Sequence, residues 1–192
     1  MHNEKANAEA AGHAALASNR SMEEKANAHG QYFVQCISPD GSVRWEDTAD
    51  NVVTTVGKNA ALDAFLAGST YTAACYIGLI NVNANLAAAG DTMASHAAWL
   101  EVGTTNDPHY TAPRKTPSWS AAAAGAKATS VAVSFAITSS GTVGGCFLVF
   151  GTGAVSTIDN TSGVLYSAGA FTNGSKPVSN GDTLNVTYTG SL

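Results

Sequence analysis

Val131-Ala132-Val133-Ser134-Phe135-Ala136-Ile137 puts a large apolar side chain at every second position. On an extended chain this gives one apolar face and one small, polar face, as a half-buried strand requires. The same period returns at Leu184, Val186 and Tyr188, interleaved with Asn185 and Thr187 behind a Gly181-Asp182 turn. Between these two stretches, residues 142–145 read as a turn, residues 146–150 as a continuous apolar run and residues 163–171 as a further strand. Short strands separated by glycine-rich turns predict a mainly β fold, an antiparallel β-sandwich or jelly-roll. A parallel α/β sheet is disfavoured, because the crossover helices it needs are missing.

Upstream, Pro108, Pro113 and Pro117 make residues 103–120 an irregular excursion, which the alanines at 121–124 and Gly125 prolong. A loop this long in a compact domain is functional or packs on something. Asp91 heads what reads as one helical turn ending at His96, and residues 99–102 read as a strand end. Residues 75–80 form a short apolar run expected to be a buried strand, followed by an Asn- and Ala-rich loop at 81–90. Leu62, Phe65 and Leu66 share one helical face with Gly68 just beyond, which predicts the single short helix of the body over residues 57–66. Residues 52–56 read as another short strand. Tyr32, Val34 and Cys36 alternate with Phe33, Gln35 and Ile37, then Ser38-Pro39-Asp40-Gly41 turns the chain into a second strand holding Val43 and Trp45. This is the pattern of a β-hairpin.

Residues 1–30 differ from the rest. Glu4-Lys5-Ala6-Asn7-Ala8 recurs as Glu24-Lys25-Ala26-Asn27-Ala28, and the larger apolar residues after the start are Leu16 and Met22. Ala, Glu and Lys favour helix, and Ser21-Met22-Glu23-Glu24 matches a capping box with Gly30 as a stop. Such helices are too short to stand alone in water and have no apolar stripe to dock on a core. The expected organisation is an extended, partly helical N-terminal arm at 1–30 and a β-sandwich body at 31–192.

Only 12% of the 192 residues are charged, about half the usual share, and the net charge is −5. Affinity for nucleic acid comes mainly from Lys and Arg neutralising phosphates, yet residues 102–192 hold only Arg114, Lys115, Lys127 and Lys176 as cations. No nucleic-acid partner is expected. A surface of small polar side chains costs little rotamer entropy to bury, which favours assembly. Cys36, Cys75 and Cys146 are odd in number and sit in apolar runs, as free thiols of a protein made in a reducing cytoplasm do. Glu4 and Glu9 stand where a signal peptide would be apolar, and no stretch approaches a membrane span, so no membrane association is expected.

Candidate chemistry is sparse. Asp91, Ser95 and His96 invite a triad reading, but helix neighbours diverge and no nucleophile elbow is present. The five histidines are scattered without ligand spacing, so no metal or other cofactor is expected. Phe150-Gly151-Thr152-Gly153 lacks the third glycine and the following helix of a phosphate-binding turn. Glu46 and Asp47 point to opposite faces of a strand and read as a solvated strand end. Trp45, Trp99, Trp119, Tyr71, Tyr76 and Tyr110 could stack sugars, although aromatics in such runs are more often packing residues. The chain reads as no enzyme.

Distinctive segments run through the body: Trp45-Glu46-Asp47-Thr48, Asn51-Val52-Val53-Thr54-Thr55-Val56-Gly57-Lys58-Asn59, Leu62-Asp63 and Gly68-Ser69. Tyr76-Ile77-Gly78-Leu79-Ile80, Asp91-Thr92-Met93-Ala94-Ser95-His96, Trp99-Leu100-Glu101-Val102, Ala112-Pro113-Arg114, Trp119-Ser120 and Gly181-Asp182-Thr183-Leu184 continue them. Together, over roughly residues 31–190, they resemble a family of small bacteriophage virion proteins encoded near the major capsid protein. The duplicated N-terminal segment departs from a minimal version of that family. The resemblance implies a head decoration, cement or head-fibre protein on the outer capsid surface, made in the host cytoplasm. Its partners would be the major capsid protein and copies of itself, a trimer being the expected oligomer. The partner-binding residues expected on this reading are Leu16, Met22, Lys25, Asn27, Tyr110, Arg114 and Trp119. The alternative is a head-fibre or tail adhesin that binds a host surface glycan.

Overall fold

The computed structural model describes residues 27–66, 73–81 and 87–192. The expectations for Leu16, Met22 and Lys25, for the capping box at residues 21–24, for the repeat's first copy and residues 24–26 of its second, for Gly68 and Tyr71, and for residues 82–86 of the Asn/Ala loop lie outside these residues. The protein is mainly β, with antiparallel sheets and, among the described residues, one short helix.

The N-terminal hairpin joins β1 (His29–Ile37) to β2 (Val43–Asp50). Its turn closes through Gly41 N–H to Ser38 C=O at 2.9 Å, with Gly41 at φ 85°, and Asp40 Oδ1 accepts from the Ser42 backbone at 2.9 Å. Pro-Asp-Gly chemistry supplies both the positive φ and the side-chain acceptor. A short β3 (Val52–Val53) precedes helix α1 (Thr55–Leu66), and β4 (Cys75–Ile80) follows. The predicted 52–56 strand stops early because Thr54 caps the helix: its Oγ1 accepts from Gly57 N–H at 3.0 Å and its carbonyl from Lys58 N–H at 3.0 Å.

The last third supplies β5 (Ala126–Ala128), β6 (Val133–Ala136), β7 (Gly141–Val143) and β8 (Gly145–Phe150). It ends with β9 (Val164–Ala170), β10 (Lys176–Val178) and β11 (Thr183–Ser191). One sheet has the order β2-β1-β11-β5, with β6 also paired to β11; a second has the order β3-β9-β8-β4; β7 and β10 form a two-stranded ribbon. Residues 142–145 are therefore not a simple turn. The chain leaves the ribbon at Val143 and enters the second sheet at Gly145, with Gly144 between them.

The sheets share one core. Tyr32, Val34, Cys36, Leu184 and Val186 from the first sheet meet Ile77, Leu79, Cys146 and Leu148 from the second. Tyr32 Oη and Ser167 Oγ are hydrogen-bonded across it at 2.8 Å. The continuous apolar run of β8 has a structural cause: Phe147 and Val149 face the opposite way, into a second cluster with Met93, Trp99, Leu165 and Ala168. A strand covered on both faces loses the polar half of its alternation.

Candidate functional site

The excursion at residues 103–125 is fastened by a buried ion pair. Arg114 is 1% exposed, and its Nε and Nη2 donate to the two Glu101 oxygens at 2.7 and 2.6 Å. The same guanidinium donates to the carbonyls of Val155 at 3.1 Å and Asn160 at 2.8 Å, while Asp159 N–H donates to Glu101 at 2.8 Å. Burial pushes the Glu101 carboxyl above its usual range, and the bonds from Arg114 and Asp159 only partly offset this. Every group in the knot has a partner, as a buried charge pair requires. Arg114 and Tyr110, expected as partner-binding residues, are thus interior in this chain. Tyr110 packs edge-on against Phe135 at 5.0 Å. A loop of this length is expected to be functional or to pack on something, and this one places large side chains of its own in the interior.

The 91–96 stretch forms turns closed by Thr92 and Ser95, not a helical turn. Asp91 Oδ2 accepts from Trp99 Nε1 at 3.1 Å and from Ala88 N–H at 3.0 Å, and His96 stacks on Trp99 with Nδ1 2.9 Å from its carbonyl oxygen. Asp91 and His96 thus seat Trp99 over the second sheet, while Ser95 bonds through its backbone to Thr92 instead. Glu46 is bonded to Gln35 Nε2 on the exposed face. Asp47 corrects the reading of a solvated strand end: it is buried, paired with Lys176 Nζ at 3.0 Å, and accepts from Thr48 N–H at 2.8 Å and Asn173 Nδ2 at 3.0 Å. Burial works against its charge, but the bonds from Lys176, Thr48 and Asn173 outweigh burial and hold the carboxyl below the ordinary value. The Gly151–Gly153 stretch is a turn, with both glycines at positive φ.

The open feature is an apolar groove of about 580 Å³ where the two sheets part beside α1. Leu148, Phe150 and Tyr166 line it from the second sheet, Tyr188 from the first, and Trp119 from the excursion. Trp119 stands edge-on to Tyr188 at 6.1 Å, and Phe150 edge-on to Tyr166 at 5.4 Å. Small residues at Ala61, Ala126 and Gly190 keep it open, and Cys75 forms part of its wall. Burial pushes the Cys75 thiol up to about 12, so it stays protonated near neutrality. Of the expected partner-binding residues, Trp119 lines this groove, and Asn27 is exposed where the described chain begins.

Helix α1 differs from its amphipathic reading. Its buried residue is Gly57, which lies against the Tyr166 backbone, whereas Leu62, Phe65 and Leu66 are exposed, Phe65 at 86%. Periodicity identified the apolar side of this helix but not the direction it faces. The groove was not legible in sequence, because its walls come from strands far apart along the chain.

Among the described residues, no group of three or more His, Cys, Asp and Glu is placed to hold a metal, and no helix is long and apolar enough to cross a membrane. No family model, curated protein or solved structure matches the chain.

Proposed function

We propose that this chain is a structural component of a bacteriophage particle that decorates the capsid and stabilises it by bridging capsid subunits. The observation that carries the reading is the outward apolar side of α1: Leu62, Phe65 and Leu66 face away from both core clusters. Three large apolar side chains on one exposed helix end mark a contact surface rather than scattered surface residues. The paired sheets, read as a β-sandwich body, supply a rigid platform for that surface. The low share of charged residues keeps the entropic cost of covering it small. A protein that binds only the assembled lattice stabilises it by mass action, and many copies make modest contacts sufficient. A symmetric homo-oligomer, a trimer on this reading, would match a lattice symmetry axis.

The glycan-binding alternative has less support. Trp99 and Tyr110 are interior, and Trp45 donates its indole N–H to the Pro177 carbonyl at 2.9 Å.

Co-sedimentation with capsids stripped of the protein tests the proposal. Saturable binding that raises the heat resistance of the capsid is the expected result. Absence of binding to such capsids, with the protein folded, overturns it.

A further inference from the structure

The apolar groove between the sheets has an occupant within reach. Strand β1 runs antiparallel to β11, with His29 opposite Ser191 and Gly30 opposite Gly190. Ser191 and Gly190 line the groove, and so does Tyr188, whose hydroxyl lies against Gly30. The described chain therefore begins at the groove mouth, and residues 1–26 precede it there. By strand alternation Ala28 falls on the same face as Gly30 and Tyr32, toward the groove.

We propose that this groove is the seat of the chain's own N-terminal segment, with Leu16 and Met22 as its apolar anchors. Three properties of that segment match the site. Leu16 and Met22 are its larger apolar side chains after the start, and an aromatic-lined groove takes such anchors. Met22 stands five positions before Asn27, a span of up to about 18 Å at roughly 3.5 Å per residue. Glu23 and Glu24 follow Met22 directly, and Lys127 is the cation in the groove lining. Connection through the chain favours this occupant over any separate molecule. Tethering turns docking into an intramolecular event, for which a short tether gives an effective concentration of roughly millimolar. This inference is independent of the capsid proposal, because docking within one chain requires no lattice.

Cys75 reports on the groove. It lies in the wall and is partly exposed, while Cys36 and Cys146 are fully buried. The experiment follows modification of Cys75 by a small aromatic disulfide reagent at one alkaline pH, with the site read by peptide mass spectrometry. Three proteins are compared: the full chain, the chain lacking residues 1–26, and the full-length Leu16→Asp/Met22→Asp variant. The expected result is modification at least tenfold slower in the full chain than in the other two. A synthetic peptide of residues 1–26 added to the truncated chain should slow it again. Equal rates in the full chain and the double variant overturn the proposal, whether or not the truncated chain folds. Slowing that disappears on dilution also overturns it, because the segment would then come from another copy.

Discussion

The excursion at residues 103–125 and helix α1 are held to the same body in opposite ways. The excursion has little regular structure, yet its own Arg114 and Tyr110 are buried and the guanidinium alone joins Glu101, Val155 and Asn160. The helix is regular and capped by Thr54 at its N-terminus, yet it is docked through Gly57 and leaves Leu62, Phe65 and Leu66 in solvent. Regularity and anchoring are separate properties. Backbone hydrogen bonds make a helix, whereas attachment depends on which side chains are withdrawn from water.

The largest test of this contrast is at Arg114. Arg114→Met should cost about 3–5 kcal/mol, because it leaves Glu101 buried without its counter-charge. Urea unfolding followed by tryptophan fluorescence measures it. A companion Glu101→Gln change should recover much of the loss, and a single-variant cost under about 1 kcal/mol would break the idea that this pair holds the loop.

The helix should respond next, at its one buried residue. A Cβ at Gly57 would come within 2.7 Å of the Tyr166 carbonyl oxygen and 2.9 Å of its Cα. Backbone cannot yield cheaply, so Gly57→Ala should destabilise by about 1–3 kcal/mol despite its better helix propensity. Thermal denaturation decides the sign: stabilisation would show that propensity wins over docking.

A smaller, pH-dependent effect belongs to Asp47. Its folded-state carboxyl titrates below the ordinary 3.8, so its contribution is present above that value and is lost as pH falls through the folded one. Asp47→Asn should therefore cost about 1–2 kcal/mol at neutral pH, with the gap to the natural chain narrowing in acid. A gap that is constant between neutral pH and about pH 2 would assign the cost to packing.

The smallest effect on stability should come from the exposed helix end. Phe65→Ser with Leu66→Ser should change unfolding free energy by no more than about 0.5 kcal/mol, because neither side chain is withdrawn from water in the isolated chain. The same variant should lose at least tenfold in capsid co-sedimentation if α1 is the contact surface. Unchanged co-sedimentation would move that surface elsewhere on the body.

Much of the fold was legible because strands carry a local signature. Alternation placed β1, β6 and β11, the Pro-Asp-Gly turn placed the hairpin, and apolar runs placed β4 and β8. Pairing partners were not legible, since β11 collects β1 from far upstream and β5 and β6 from the stretch after the excursion. The candidate site was less legible still. Trp119 stood out as an aromatic, but Tyr188 and Phe150 read as ordinary strand residues until the sheets brought them together.

The sequence by itself determined the mainly β class, the positions of most strands, the apolar side of the helix and the low charge density. These follow from side-chain period and composition, which act over a few residues. Only the tertiary structure decided that Arg114 points inward, that Asp47 is a buried ion-pair partner, that α1 faces outward and that two sheets part to leave a groove. Burial and charge pairing depend on residues distant in sequence, such as Asp47 beside Lys176, or the Asp159 backbone N–H that donates to the buried Glu101 carboxylate. No local pattern encodes which of them will meet.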